Sequence, residues 1–249
     1  MEGKIRQPSM SQAPGHPEVL RIVAPNPSPM TLEGTNTYLY GADPCTVIDP
    51  GVDDAAHLEA IRTAAAERGG IGLILFTHLH ADHTGGAEEL GAEALLPGDG
   101  ESHGGLRALA TPGHAAEHVC YLGAGGVCFS GDLVLGLGST IVPPGGGSLA
   151  AYMSSLRLLQ GEEIELICPG HGPWVTDPAA KLAEYLSHRE SRESRLLAAL
   201  ERGERSRSAL LAEVWDDIPI ELLPMAAMAM ESHLEKLGDE GRVPGELEE

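Results

Sequence analysis

The chain has 249 residues, room for one large domain and a small appendage, and its net charge of -21 argues against a broad basic surface for polyanions. Hydrophobic residues make up 42% and aromatics only 4%, so the expected core is mostly Leu, Ala, Val and Ile. No apolar run is long enough to cross a membrane, and residues 1–17 are polar with no signal-peptide core. From the N-terminus, a polar segment over 1–18 leads to short strands at 19–24, 37–40 and 46–48, the last ending at the turn Asp49-Pro50-Gly51. Asp53 or Asp54 is the candidate N-cap of a helix that runs to about Arg68 with Leu58 and Ile61 turned inward. A strand to Phe76, a polar loop and a short helix at 87–90 follow. Strand and helix then alternate to Cys168, with an amphipathic helix at 148–159. This order fits a mixed α/β sandwich over 19–177.

Beyond residue 178 the pattern turns helical, with helices expected at 180–200, 206–214 and 224–237 and a Gly-bounded short strand at 238–243. Such an order resembles a degenerate winged-helix unit over 178–249. In a DNA reader the last helix carries several basic side chains. Here it offers Lys236 beside Glu231 and Glu235, which points to a packing or homodimerisation module and away from duplex DNA. Met225, Met228 and Met230 are read as core or interface filler. Cys45, Cys120, Cys128 and Cys168 form no C-x-x-C pair and lie among apolar neighbours, as small buried thiols do in a reducing cytoplasm.

The chemistry concentrates in the polar loop after Phe76. Phe76-Thr77-His78-Leu79-His80-Ala81-Asp82-His83-Thr84-Gly85-Gly86 packs imidazole and carboxylate side chains onto one strand exit, and these groups are natural ligands for zinc and similar divalent ions. Further candidates recur downstream, each in a Gly- or Pro-punctuated turn after a short apolar segment. They are His114 in Thr111-Pro112-Gly113-His114, Asp132 in Ser130-Gly131-Asp132 and His171 in Pro169-Gly170-His171-Gly172. Strands that end in turns and present one ligand each suit a site along one rim of a sheet. Asp49 either forms its turn or orients the ligand loop. His118 is a candidate for supporting a ligand or contacting substrate, and Asn36 and Thr37 for reaching the site mouth. His57 and His233 are read as core or surface histidines, and Arg189, Arg192 and Arg195 as partners of neighbouring Glu, with Arg189 also a candidate for an anionic substrate tail.

This set resembles the metallo-β-lactamase-fold hydrolase superfamily, whose hallmark is an HxHxDH run followed by single His, Asp and His ligands. The resemblance covers roughly residues 19–175. It implies a four-layered αββα sandwich in which His78, His80 and His114 hold one zinc, Asp82, His83 and His171 hold a second, and Asp132 bridges them. Mn²⁺ and Fe²⁺ are the alternative metals. Within the superfamily the chain is similar to the lactamase-beta-2-like branch, through Pro29-Met30-Thr31-Leu32-Glu33-Gly34-Thr35-Asn36-Thr37-Tyr38-Leu39 and the C-terminal entry His188-Arg189-Glu190-Ser191-Arg192-Glu193. That branch includes a single-stranded-RNA endonuclease and thioester-cleaving enzymes.

The resemblance implies a dinuclear zinc hydrolase of an ester-like bond, be it thioester, phosphodiester, lactone or lactam. Two metals that share an oxygen bring a hydroxide to working pH, and Asp82 would orient that nucleophile. Bound metals would also make the immediate site cationic within an acidic protein. Two rivals remain: a mononuclear iron enzyme of the persulfide dioxygenase type, and a non-enzymatic or nucleic-acid-binding protein that uses the C-terminal helices.

Overall fold

The computed structural model describes residues 9–243 and 245–248. Its strands form two mixed sheets. The first has six strands in spatial order β1 (Ser9–Ala13), β2 (His16–Val23), β3 (Asn36–Tyr40), β4 (Cys45–Ile48), β5 (Ile71–Leu75) and β6 (Ala94–Leu95). The second has five, in the order β11 (Leu166–Pro169), β10 (Val127–Gly131), β9 (Val119–Gly123), β8 (Leu106–Ala110) and β7 (Ser102–His103). Neighbours are antiparallel except β4 with β5, β5 with β6, and β10 with β11. The short helices α2 (Ala81–Thr84) and α3 (Ala87–Leu90) follow β5, and α1 (Ala55–Ala66) joins β4 to β5.

Alternation along the strands decides which face each side chain serves. On β3, Tyr38 and Tyr40 enter the cluster between the sheets, with Phe129 of β10 and Tyr121 of β9. Leu39 points the other way and joins Cys45, Val47 and Ile74 against Leu58, Ile61 and Ala65 of α1. Helix α1 begins at Asp54, whose carboxylate accepts from the backbone N–H groups of Ala56 and His57. The core is less purely aliphatic than composition suggests, because the few aromatics gather between the sheets. Their hydroxyls also do polar work: Tyr38 donates to the carbonyl of Pro169 at 2.7 Å and Tyr121 to that of Phe76 at 2.5 Å. Each bond pins the strand end from which a histidine-bearing loop departs.

Two expectations need correction at the edges. Residues 9–13, expected as part of a polar leader, form strand β1, paired antiparallel with β2. Being an edge strand, β1 tolerates the polar residues that hid it. The short strand expected at 238–243 is absent. A helix continues through Gly238 to Asp239, and Gly241, at φ 67, ends the turn that follows. Among the described residues beyond it, β-pairing is limited to one isolated bridge, Ser206 to Glu248.

The described residues divide into two compact units: residues 9–111, 117–139 and 162–178 in the first, residues 112–116, 140–161, 179–243 and 245–248 in the second. The second is built from α4 (Leu149–Gln160), α5 (Pro178–Glu201), α6 (Arg207–Val214) and α7 (Leu223–Asp239). Leu196, Leu200, Leu210, Val214, Trp215, Met230 and Leu234 form the apolar seam of α5, α6 and α7. No helix among the described residues is long and apolar enough to cross a membrane.

Candidate metal centre

Within the first unit the sequence-selected residues converge from three loops. His78, His80, Asp82 and His83 leave β5 through Phe76-Thr77 and enter α2, Asp132 follows β10 and His171 follows β11. The Nε2 atoms of His83 and His171 face each other at 3.3 Å. Asp82 Oδ2 lies 3.5 Å from His83 Nε2 and 3.4 Å from His171 Nε2, and Asp132 Oδ1 stands at the same two distances. These measured separations are nearly equal. Two donors that each lie about 2.1 Å from a tetrahedral zinc ion stand about 3.4 Å apart, so the mutual separations of the His83, His171 and Asp82 atoms suit such an ion. The same geometry without a cation would press two imidazole nitrogens together between two carboxylates. The donor set therefore fits a divalent ion. Gly170 permits the approach, since a Cβ there would lie 2.4 Å from Asp132 Oδ1 and 2.8 Å from His83 Cε1.

The other nitrogen of each ring decides which atom faces inward. Asp49, buried at the end of β4, accepts from His83 Nδ1 at 2.9 Å, which leaves Nε2 as the lone-pair nitrogen. Asp49 also accepts from the backbone N–H of Thr77 at 2.8 Å and from its hydroxyl at 2.7 Å. With its own hydrogen so used, Thr77 Oγ1 accepts from His78 Nδ1 at 3.0 Å. His78 Nε2 then presents its lone pair 2.9 Å from His80 Nδ1. His171 Nδ1 donates to the carbonyl of Gly34 at 3.3 Å. In the second unit, His114 Nδ1 donates to the carbonyl of Ile141 at 2.7 Å, which leaves Nε2 as the lone-pair nitrogen.

Electrostatics agree with the geometry. Burial alone would lower the His171 pKa, but Asp132 and Asp82 outweigh it and push it up to about 10. His83 is likewise raised, as burial is overcome by Asp132 and Asp49. Burial raises the carboxyl of Asp132, yet His83 and His171 hold it well below the ordinary carboxylate range, and Asp82 is lowered in the same sense. Both carboxylates stay ionised, and the field between them favours positive charge.

Supporting residues differ in part from those expected. Asp49 orients His83, which decides between its two readings. His118 supports a ligand segment: its Nε2 accepts from the backbone N–H of Asp132 at 3.2 Å while Nδ1 donates to Thr111 Oγ1 at 2.9 Å. Asn36 is buried and donates to the carbonyls of Pro169 and Gly172, which brace the loop of His171. Thr37 turns to the carbonyl of Asp49, not to the mouth. Thr35 and Thr77 escaped the sequence reading. Thr35 Oγ1 lies 3.3 Å from Asp82 Oδ2, and the only sequence signal for Thr77 is its place directly before His78. Arg192 pairs with Asp217 at 2.7 Å, and Arg189 donates to the carbonyl of Thr140 and lies over Tyr152.

Residues 30–94 and 95–171 match the family model of the metallo-beta-lactamase superfamily. The chain belongs to that superfamily. Its two mixed sheets packed with helices are the superfamily's α/β fold. Among its relatives is the Beta-lactamase-like protein 2 homolog of Drosophila melanogaster, 32% identical over 90% of this chain and 89% of that protein. The Lactamase-like protein adaB of Aspergillus niger is 37% identical over 77% of this chain, which spans 66% of that relative's length. A protein of Aspergillus chevalieri named atrochrysone carboxyl ACP thioesterase is 36% identical over 78% of this chain and 68% of its own. Among solved structures, a Beta-lactamase domain protein from Burkholderia ambifaria matches with a TM-score of 0.74 at 20% identity, over 90% of this chain and 87% of its own.

Proposed function

We propose that the chain is a dinuclear zinc-dependent hydrolase of ester-like bonds, with acyl thioesters as the first bond class to test. The observation that carries the reading is the convergence of the His83 and His171 Nε2 atoms on each other and on the carboxylates of Asp82 and Asp132, at 3.3–3.5 Å. In this reading Asp82, His83 and His171 would hold one ion and His78, His80 and His114 the other, with Asp132 as a further ligand. Bound there, the ions would supply a water of lowered pKa and a Lewis acid for the substrate's oxygen. Asp82, with 31% of its side chain exposed against 13% for Asp132, is the carboxylate open to incoming water. It orients that water and takes its proton as the oxygen attacks the acyl carbon. The proton then passes to the departing thiolate as the carbon–sulfur bond breaks, giving an acid and a thiol. Asp49 and Thr77 keep the histidine rings aimed inward throughout.

Two observations favour acyl thioesters over a phosphate backbone. A relative bears the name of an ACP thioesterase. In addition, the cations among the described residues of the first unit are already engaged: Arg21 with the Gly172 carbonyl and Trp174, Arg62 with the Glu89 carbonyl, Arg68 with those of Glu18 and Gly41, Arg107 with Glu162. A single-stranded-RNA substrate would need such groups for its phosphates. The test is a hydrolysis panel on zinc-loaded protein: acyl thioesters, bis-aryl phosphodiesters, single-stranded RNA and a chromogenic β-lactam. Zinc-dependent thioester turnover above the other classes is expected. One iron per chain with sulfur-dependent oxygen uptake, and no hydrolysis, would overturn the reading.

A further inference from the structure

Behind the donor cluster lies a second, wholly buried set of polar groups. Asp49 grips His83 through its carboxylate, yet its own backbone sits at φ 49, a region that residues with a Cβ rarely enter. What holds that turn in place is visible next to it. The carbonyl oxygen of Asp49 accepts from Thr37 Oγ1 at 2.7 Å, and Thr37 Oγ1 lies 2.9 Å from His57 Nε2. Because the threonine hydrogen is given to Asp49, His57 Nε2 is the donor in the second bond. The chain of bonds therefore runs in one direction, from His57 through Thr37 to Asp49.

Each member is fixed from another part of the fold. Thr37 stands on β3, His57 on the first turn of α1, and Asp49 at the end of β4. Thr37 and His57 are fully buried and Asp49 nearly so. Gly51 closes the turn over this pair, where a Cβ would lie 2.8 Å from His57 Nε2 and 3.2 Å from Thr37 Oγ1. The backbone N–H of Gly51 in turn donates to the carbonyl of His83 at 3.2 Å. The Asp49–Gly51 turn thus meets His83 twice, once at its ring and once at its backbone.

We propose that Thr37 and His57 are positioning residues of the metal centre: they lock the left-handed turn at Asp49 and, through it, the ring of His83. This rests on the reading of His83 as a metal ligand. The mechanism separates hydrogen bonding from packing, since a methyl group fills the space of the Thr37 hydroxyl without donating.

The experiment uses full-length, metal-depleted protein as wild type, Thr37→Val, Thr37→Ser, His57→Leu and His57→Gln. Zinc affinity is read by competition with a chromophoric chelator, and ligand geometry by the visible spectrum of the cobalt(II) form. Thr37→Val and His57→Leu should weaken zinc binding about tenfold and alter the cobalt spectrum, while Thr37→Ser and His57→Gln, which keep the donors, stay within about threefold of wild type. Should Thr37→Val fail to fold, the two His57 variants make the same comparison. Wild-type affinity in Thr37→Val, or equal weakening in Thr37→Ser, would overturn this inference alone. A wild type that binds no divalent metal would overturn the metal-centre reading as well.

Discussion

The two units bury polar groups in opposite ways. In the helical unit buried and half-buried charges meet opposite charges or backbone oxygens: Arg192 meets Asp217 at 2.7 Å, Lys236 lies 2.8 Å from both Glu193 and Glu240, and Arg189 donates to the Thr140 carbonyl. Glu193 is held down to about 2, first by its bond to His233 and against the cost of burial, and by Lys236. These interactions close on themselves. In the sheet unit, like meets like, with His83 Nε2 against His171 Nε2 and both facing a pair of carboxylates. A fold optimised only for its own stability has no use for such an arrangement, because each group is desolvated for poor returns. The contrast teaches where chemistry is to be sought. A polar cluster that satisfies itself is architecture, and one whose donor atoms converge on a common point is a candidate site.

The sharpest way to break this contrast is to remove one inward-facing donor. Asp82 lies on the short helix α2 with 31% of its side chain exposed, and it belongs to neither apolar cluster of the sheets. Asp82→Ala should therefore reduce turnover of the preferred substrate at least about a thousandfold, in line with loss of a group that positions the attacking water. Elemental analysis should show less than the wild type's metal content, and the melting temperature of the metal-free protein should scarcely move. An Asp82→Ala enzyme within about tenfold of wild type would show that the role is misassigned.

A smaller effect tests a group buried without charge. Burial lowers the pKa of His57 to about 4 from an ordinary 6.5, with Asp54 opposing. The folded value lies below the unfolded one, so the unfolded chain takes up the proton first as pH falls. The stability that neutral His57 provides is complete above pH 6.5, declines from there to about 4 and is then lost, on the order of 3 kcal/mol in all. Denaturant titrations of metal-free protein across that window should show a flatter acid limb for His57→Gln than for wild type. Parallel curves would mean that His57 is not buried neutral.

Most of the candidate site was legible in the sequence because the spacing of the candidate donors is local. His78, His80, Asp82 and His83 share one loop, and Gly- or Pro-marked turns flag His114, Asp132 and His171. The strands with apolar alternation were equally plain. What escaped were residues whose roles depend on distant partners. Thr77 matters because Asp49, on another strand, accepts its hydrogen bonds, and Thr37 because the turn it braces arrives from β4. Strand β1 escaped because an edge strand need not be apolar, and the helix through Gly238 because packing outweighed one glycine's cost.

The smallest expected effect is a null one, and it sharpens the view of the helical unit as self-satisfied. A reading helix needs basic side chains at liberty to reach phosphates and base edges. On α7, Lys236 is held by Glu193 and Glu240, and Glu231 and Glu235 flank it. Arginines of α5, of the turn after it and of α6 are similarly spent, with Arg195 on Asp216, Arg202 on Glu213 and Arg207 on Glu231. Phosphate neutralisation supplies most non-specific affinity and makes it salt-dependent, so a surface of paired charges within an acidic chain should bind duplex DNA poorly. Fluorescence anisotropy of a labelled duplex, titrated with full-length protein at low and moderate salt, should show no binding tighter than about micromolar. A tighter complex that weakens steeply with salt would mean that these ion pairs open to an anionic partner, and the contrast between the two units would fail.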